Sequence, residues 1–407
     1  MPKLLNMNAY HYRRGGSDVV YLEHGALFEE AGWESAYFSM HHPKNEPTRW
    51  SRYFVPEVEL GHSYSPLRKL AMAKEIIDSP AHGRAMARLL DDFPADIAHV
   101  HLIRHHIAPN VYTELKRRGI PIVLTAHDLK LMCPAYRMHD GSQVCEACKP
   151  NKVWNCTTRR CMHDSLALSA LISLESAVHR IKGVYRNRID RIICPSRFYL
   201  EKHVEWGWPR EQLVYIPNDF VVPPIENVPP PGDYLCYFGR LSFEKGLETI
   251  IRACAKAKMP VQLVGEGPDE VMLRRIVAET GADVVFHGRQ SGESLFSVVR
   301  GARACVLASE WYENAPKSVL EAFGLGKVVV GADIGGISEM IEHGRTGWLF
   351  PSGDVEALST VLQDVKYIED EKIIDMGADA AKFARNEFST DLYFKRMTAL
   401  YEELGVK

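Results

Sequence analysis

Ser309-Glu310-Trp311-Tyr312-Glu313-Asn314-Ala315-Pro316-Lys317-Ser318-Val319-Leu320-Glu321 follows the apolar run Ala304-Cys305-Val306-Leu307-Ala308. The run reads as a buried strand, and the polar turn after it leads into a helix. Pro316 suits the first helical position, where its fixed φ helps and its missing N–H costs nothing. The amides of that first turn form an anion site. Glu313 stands just before the helix. Glu321 lies five residues past Pro316, about 7.5 Å further along the axis at about 1.5 Å per residue. One carboxylate is therefore beside the anion site and one above it. A ligand with a diphosphate between two hydroxyl-rich groups suits that arrangement, and a sugar nucleotide is such a ligand.

The same strand–turn–helix unit repeats on both sides of this stretch. Tyr234-Leu235-Cys236-Tyr237-Phe238 leads into the turn Gly239–Gly246 and a helix over 247–258. Val261-Gln262-Leu263-Val264 leads into Gly265-Glu266-Gly267-Pro268. Val284-Val285-Phe286 leads into His287-Gly288-Arg289, and Val328-Val329-Val330 into Gly335-Gly336. Repetition of this kind predicts a parallel, doubly wound sheet.

The first half repeats the theme less regularly. Residues 1–13 are strand-like. A helix follows Gly15-Gly16, with Ser17 or Asp18 as its cap, and a strand restarts near Gly32. A helical pattern from Ser65-Pro66 to Phe93 breaks near Ser79-Pro80. Ile97–His101 is a strand, and Ile120–Thr125 is another that ends at Ala126-His127-Asp128. Ligands bind beyond the carboxyl ends of such strands, so His127 stands where a site is expected. Five prolines between Pro223 and Pro231 can neither extend a helix nor fill a central strand. The chain therefore divides into a domain over 1–220, a linker over 221–232 and a domain over 233–382. A final helix over 383–407 is expected to pack back on the first domain.

The chain has 407 residues and a formal net charge of −3. The length suits two cores, and the charge gives no global basic field for nucleic acid. No apolar run reaches the ~18 residues of a spanning helix, and the first residues do not resemble a leader peptide. Nine cysteines, an odd count without a secreted disulfide pattern, point to a reducing cytoplasm. The helical stretch from Ser165 carries Arg180, Lys182, Arg186 and Arg188. These form a solvated face or a basic surface for peripheral contact with anionic lipid at the inner face of the membrane.

Five of the cysteines fall in an insert at about 129–165. Cys133, Cys145, Cys148, Cys156 and Cys161 are spaced C-x11-C-x2-C-x7-C-x4-C. Four of the five would satisfy a tetrahedral metal, most naturally a structural zinc, with His139 and His163 in reserve. An iron–sulfur site, disulfides and plain buried thiols remain open alternatives. On any of these readings the insert is local bracing.

The second half resembles the retaining glycosyltransferases of family 4, which have the GT-B fold. The residues that carry the resemblance are Gly239-Arg240-Leu241-Ser242-Phe243-Glu244-Lys245-Gly246, Gly265-Glu266-Gly267-Pro268, and Glu313-x7-Glu321 with Glu321-Ala322-Phe323-Gly324. Gly335-Gly336-Ile337-Ser338-Glu339 and Gly344-x2-Gly347-Trp348-Leu349 complete the set. The first half resembles the family more loosely, through Gly15-Gly16, His127-Asp128, Pro195-Ser196 and Ile216-Pro217-Asn218. Asp219-Phe220 departs from the family's Gly-Val there. The cysteine insert is similar to one in a subset of these enzymes.

The resemblance implies two Rossmann-like parallel-sheet domains facing a cleft, and transfer from a nucleotide sugar to a glycan or lipid-linked glycan, as in cell-surface polysaccharide synthesis. It implies that Arg240 and Lys245 hold the donor diphosphate and that Glu321 accepts from the ribose. Glu313 accepts from the donor sugar. Amides around Asn314, Ala315, Pro316 and Lys317 touch the distal phosphate, and Gly265, Glu266 and Arg289 frame the base. From the first domain, Gly16 approaches the phosphates and His127 the reacting sugar. The chain has no Asp-x-Asp, which agrees with chemistry that uses no catalytic metal. A sugar-nucleotide epimerase of the same fold and a non-catalytic, nucleotide-sugar-binding partner subunit are the alternatives. Product formation without acceptor marks the first, and binding without turnover the second.

Overall fold

The computed structural model describes residues 1–59, 66–220 and 229–407. Most of the proline-rich stretch read as a linker, and the end of the irregular stretch before the Ser65-Pro66 helix, lie outside these residues. The chain divides into two compact units. One comprises Met1–Ile216 with Phe394–Lys407, the other Pro217–Tyr393.

The first unit holds β1 (Lys3–Met7), β2 (Glu34–Phe38), β3 (Ile97–Val100), β4 (Ile122–Thr125), β5 (Arg191–Cys194) and β6 (Leu213–Tyr215). They pair in parallel in the order β2-β1-β3-β4-β5-β6. The second holds β7 (Leu235–Phe238), β8 (Val261–Val264), β9 (Val284–Gly288), β10 (Ala304–Leu307), β11 (Val329–Asp333) and β12 (Gly347–Pro351). Their order is β12-β11-β10-β7-β8-β9, again parallel. β3, β4, β7 and β10 are buried at every residue. That is what helix-covered strands require, and it explains why they read as apolar runs and not as alternations. Each sheet reverses its direction of growth once. β1 lies between β2 and β3, and β7 lies between β8 and β10.

Three boundaries differ from expectation. β1 stops at Met7, because Asn8 leaves the strand and ties down the loop. Its amide donates to the Tyr10 carbonyl and to the Asp18 carboxylate, each at 2.8 Å. That bond also removes Asp18 from the capping role expected of it. The helix Gly16–Glu30 starts on Gly15 with no side-chain cap, so neither Ser17 nor Asp18 caps it. The tail is two helices, Asp370–Phe388 and Thr390–Glu403, broken at Ser389. Ser389 is extended there, with ψ of 148°, and its carbonyl accepts the first bond of the next helix from Tyr393 N–H. Serine followed by Thr390 and Asp391 is a helix-start signal that interrupts the periodicity.

The tail after the break belongs to the first unit through its apolar face. Met397, Leu400 and Tyr401 are buried, and Phe28 packs against Phe394 and Tyr401. The Tyr401 hydroxyl lies 2.5 Å from His99 Nδ1 and 3.0 Å from His24 Nε2, so its burial leaves no polar atom unsatisfied. Among the described residues, no helix is long and apolar enough to cross a membrane.

A buried ion pair anchors the helix Leu166–Ile181. Glu175 Oε2 lies 2.7 Å from both Lys130 Nζ and His105 Nδ1. Burial pushes the Glu175 carboxyl up, but His105 and Lys130 outweigh it and hold it at about 2. Burial lowers His105, against the opposing pull of Glu175. The folded value lies below the ordinary 4.5. The pair therefore stabilises the fold above about pH 4.5, and that gain is lost as pH falls toward 2. Glu175→Gln leaves Lys130 against a neutral amide and should cost about 3–5 kcal/mol at pH 7, or roughly 6–20 °C in Tm. Thermal scans should show that gap at pH 7 and a clearly smaller one at pH 3.

Candidate active site

The second unit concentrates its polar groups where β7 and β10 diverge. After β7 the chain turns through Gly239–Gly246. Gly246 adopts φ 64°, and a Cβ there would sit 1.9 Å from the Ala308 carbonyl oxygen at the end of β10. Only glycine allows both the conformation and the approach. Glu310 N–H then donates to the Glu244 carbonyl at 2.9 Å, and Thr249 Oγ1 to Glu310 Oε1 at 2.7 Å. The loops after the two strands are locked together by backbone.

This lock brings Lys245 and Glu313 into contact. Lys245 Nζ lies 2.6 Å from Glu313 Oε1, and Ser309 Oγ donates to the same oxygen at 2.8 Å. The side chains are 20% and 9% exposed. Burial pushes the Glu313 carboxyl up, but Lys245 and the Ser309 hydroxyl outweigh it and hold it below the usual carboxylate range. The Gly336 N–H donates to the Glu313 carbonyl at 2.9 Å, fixing the backbone of that residue as well.

The helix after this turn runs Lys317–Gly324, and Pro316 is its N-cap, not its first residue. The expected register is off by one. Proline lacks the N–H at either position, so the sequence does not separate them. Asn314, Ala315, Pro316, Lys317 and Glu321 are all partly exposed around this helix start.

The remaining candidates of this unit lie along the same carboxyl edge. Gly265 follows β8 with φ 144°, and a Cβ there would meet the Gly239 oxygen at 1.9 Å. Its N–H donates to the Gly288 carbonyl at 2.8 Å. Glu266 is exposed, and its carbonyl accepts from Leu241 N–H at 3.0 Å. Arg240 follows β7 and Arg289 follows β9, both exposed. Among the described residues neither guanidinium has an ion-pair partner, so both present uncompensated positive charge at this edge.

In the first unit, Gly16 is exposed as the first residue of its helix, with open space where a Cβ would be. His127 follows β4. Its Nε2 is 3.0 Å from His101 Nδ1, and the two rings are stacked at 5.3 Å. His101 stacks in turn on His99, at 4.4 Å. His99 Nε2 meets Thr125 Oγ1 at 2.7 Å. Burial, then the neighbouring rings, hold His99 and His101 well below the ordinary histidine range. Both are therefore neutral hydrogen-bonding groups. Nitrogens of His24, His99 and His101 come within 4.8 Å of one another, but the hydroxyls of Tyr401 and Thr125 occupy both nitrogens of His99. Asp128, the residue after His127, accepts from Arg104.

The insert keeps Cys133, Cys148 and Cys156 buried and Cys145 and Cys161 partly exposed, all as free thiols. Cys156 and Cys161 adjoin, with Cys161 N–H donating to the Cys156 carbonyl at 3.1 Å. Among the described residues, none of the groups with three potential ligand atoms within 4.8 Å contains a cysteine. His139, held in reserve as a ligand, instead accepts from Gly141 N–H at Nδ1.

Sequence reasoning passed over Ser309, His101 and Arg104. The His-x-His spacing across the end of β3 was the available signal for His101. Nothing local marks Ser309 or Arg104, because their partners come from turns that only the fold brings near.

The profile described as Glycosyltransferase Family 4 matches residues 14–218, and that of Glycosyl transferases group 1 matches residues 222–386. The N-acetyl-alpha-D-glucosaminyl L-malate synthase of Bacillus anthracis is 23% identical over 96% of this chain and 94% of its own. The D-inositol 3-phosphate glycosyltransferase of Corynebacterium efficiens is 28% identical over 70% and 66%. The amylovoran biosynthesis glycosyltransferase AmsK of Erwinia amylovora is 28% identical, but over 41% of this chain and 44% of its own. The chain spans less than half the length of several such curated relatives. Among solved structures, the sucrose-phosphate synthase of Thermosynechococcus elongatus superposes with a TM-score of 0.72 at 19% identity, over 99% of both chains. HepE of Anabaena, solved with UDP and glucose, gives 0.69 at 14% identity, over 99% of this chain and 100% of its own. Together these likenesses make the fold class GT-B.

The Lys245–Glu313 contact carries a prediction of its own. The folded Glu313 carboxyl is depressed, so the pair stabilises the fold above the ordinary carboxylate range and the gain is lost as pH falls through the folded value. Lys245→Met removes the cation, and the buried carboxylate then resists ionisation. The cost should be on the order of 2–3 kcal/mol at pH 7, less than for a fully buried pair because Lys245 keeps water contact. The Tm gap to wild type should widen between pH 4 and pH 8; a gap that is flat over that range would contradict the assignment.

Proposed function

This chain belongs to glycosyltransferase family 4, and on that footing we propose that it is a retaining, metal-independent enzyme that moves a sugar from a nucleotide diphosphate to a glycan or lipid-linked glycan. The observation that carries this reading is the Lys245–Glu313 pair at the divergence of β7 and β10, beside the start of the helix Lys317–Gly324. A leaving nucleoside diphosphate gains negative charge as the glycosidic bond breaks. Fixed cations and helix amides favour it most in the transition state. Arg240 and Lys245 take the diphosphate in this reading, with the amides of Asn314 to Lys317 on its distal phosphate. Gly265, Glu266 and Arg289 frame the base, and Glu321 accepts from the ribose. Glu313, held ionised and aimed by Ser309, accepts from hydroxyls of the sugar. In the first unit His127 is the group for the transferred sugar, and Gly16 offers backbone to a phosphate.

The acceptor is a component of cell-surface polysaccharide synthesis. Its lipid-linked form fits peripheral contact with the inner membrane face through the helix Leu166–Ile181, on which Leu174 and Ile181 are exposed, although Arg180, expected on that basic face, turns inward to donate to the Met132 carbonyl. A panel of uridine, guanosine and adenosine diphosphate sugars, with lipid-linked acceptor in anionic vesicles, tests the reading. Product NMR should show the donor's anomeric configuration kept, and Lys245→Ala should lower kcat about 10²–10³-fold. An inverted product, or near-wild-type turnover of that variant, would falsify it.

Four of the five thiols between Cys133 and Cys161 would serve as donors to a four-coordinate structural zinc. Closing such a site needs the sulfurs to draw together, which makes it a brace on the insert and leaves transfer to other residues. Metal analysis of freshly purified protein should find about one zinc per chain, and a chelator should lower Tm without abolishing transfer. Protein free of bound metal would remove this assignment.

A further inference from the structure

The first sheet has its own point of divergence, between β1 and β3. The loops that leave those strands enclose a cavity of about 170 Å³, whose remaining wall is the cysteine-bearing insert. Tyr10 and Arg14 come from the β1 loop, Arg104 from the β3 loop, and Tyr136 and His163 from the insert; Glu59 closes the rim. The space is large enough to take a small ring-sized ligand and not only single waters. Arg104 also lines the small cavity that contains His127, so the two spaces adjoin.

The polar groups are arranged in compensated pairs. The Arg14 guanidinium stacks on the Tyr10 ring and the Arg104 guanidinium on the Tyr136 ring, each at 3.8 Å. Arg14 faces Asp18 at 3.8 Å, and Arg104 is bonded to Asp128. The Tyr10 hydroxyl donates to Glu59 at 2.6 Å. With each cation already opposed by a carboxylate, the described residues leave the cavity no surplus charge for an anion. It presents donors and acceptors side by side, the pattern that matches hydroxyls, which do both.

The backbone gives an independent sign. Arg104 has φ 30°, Tyr136 φ 56° and His163 φ 51°. Non-glycine residues pay of order 1–3 kcal/mol for such conformations, and they persist where function requires the side chain to be placed. Among the described residues, six of the seven non-glycine positive-φ positions fall between Arg104 and Asp164. A brace alone has no use for strain at residues that line a cavity.

We propose that this cavity is an acceptor subsite for one neutral pyranose, and that the insert supplies its selective wall through Tyr136 and His163. The inference rests on the glycosyl transfer proposed above. Binding, not turnover, is therefore the test. Saturation-transfer NMR on the full chain would compare methyl glucoside, galactoside and mannoside with glucuronate and glucose 6-phosphate. At least one neutral glycoside should bind better than either anion. Tyr136→Ala and His163→Ala should weaken it fivefold or more, while UDP or GDP binding stays within twofold and reports intact protein. Should Tyr136→Ala fail to fold, Tyr136→Phe keeps the ring packing and removes only the hydroxyl, and His163→Leu removes the ring nitrogens. Absence of glycoside binding in wild type, binding that both variants leave unchanged, or preference for the anions overturns the proposal. Binding that depends on Tyr136 and His163, in a protein that transfers no sugar from any donor, would leave the subsite standing and remove the transfer reading.

Discussion

A parallel sheet entered in its middle must send successive crossovers toward opposite edges. At the strand where direction reverses, two adjacent loops leave the carboxyl edge and part, and the space between them cannot be filled by either. Both sheets of this chain obey that constraint, at β1/β3 and at β7/β10. The chemistry of each unit depends on it. Lys245 follows β7 and Glu313 follows β10. Tyr10 follows β1 and Arg104 follows β3. In each case the neighbouring strands supply the distance, and glycines or strained residues supply the close approach.

Within the second unit, burial and charge are balanced in a specific way. An isolated carboxylate at the position of Glu313 would take up a proton, because desolvation disfavours the charged form. Lys245 prevents that at the cost of its own availability, since a paired ammonium exerts little field at a distance. The uncompensated charge of this edge therefore lies on Arg240 and Arg289. The division has a functional sense in the proposed reaction. Arg240 draws the diphosphate and Arg289 stands toward the base, while the Lys245–Glu313 pair stays oriented and ready to exchange partners without reorganising the backbone.

The second unit was readable from sequence because its strands are short, largely apolar and mostly followed by glycine turns. Each signal is local, and together they place β7 to β12 and the residues after them. What the sequence leaves open is set by contacts between distant residues. Asp18 has the chemistry of a helix cap, but Asn8 claims its carboxylate. The tail has continuous helical spacing across 383–407, but Ser389 restarts it. His101 and His127 lie 26 residues apart and meet because β3 and β4 are neighbours in one register. The spacing of the cysteines is compatible with a metal site, but says nothing of how the sulfurs are arranged around one another.

The insert shows why composition alone gave too narrow a view of it. Read as a run of cysteines, it is a brace. In the fold it contributes an aromatic ring and an imidazole to a cavity, both on backbone held at positive φ. Strain of that kind needs a rigid support, because a flexible loop would relax to the ordinary regions and withdraw the side chains. A cluster of thiols, whether closed by a metal or packed as a core, supplies such support in a segment with little regular structure of its own. Bracing and recognition are then one device: the thiols hold the loop so that Tyr136 and His163 can be presented where relaxed backbone would not place them.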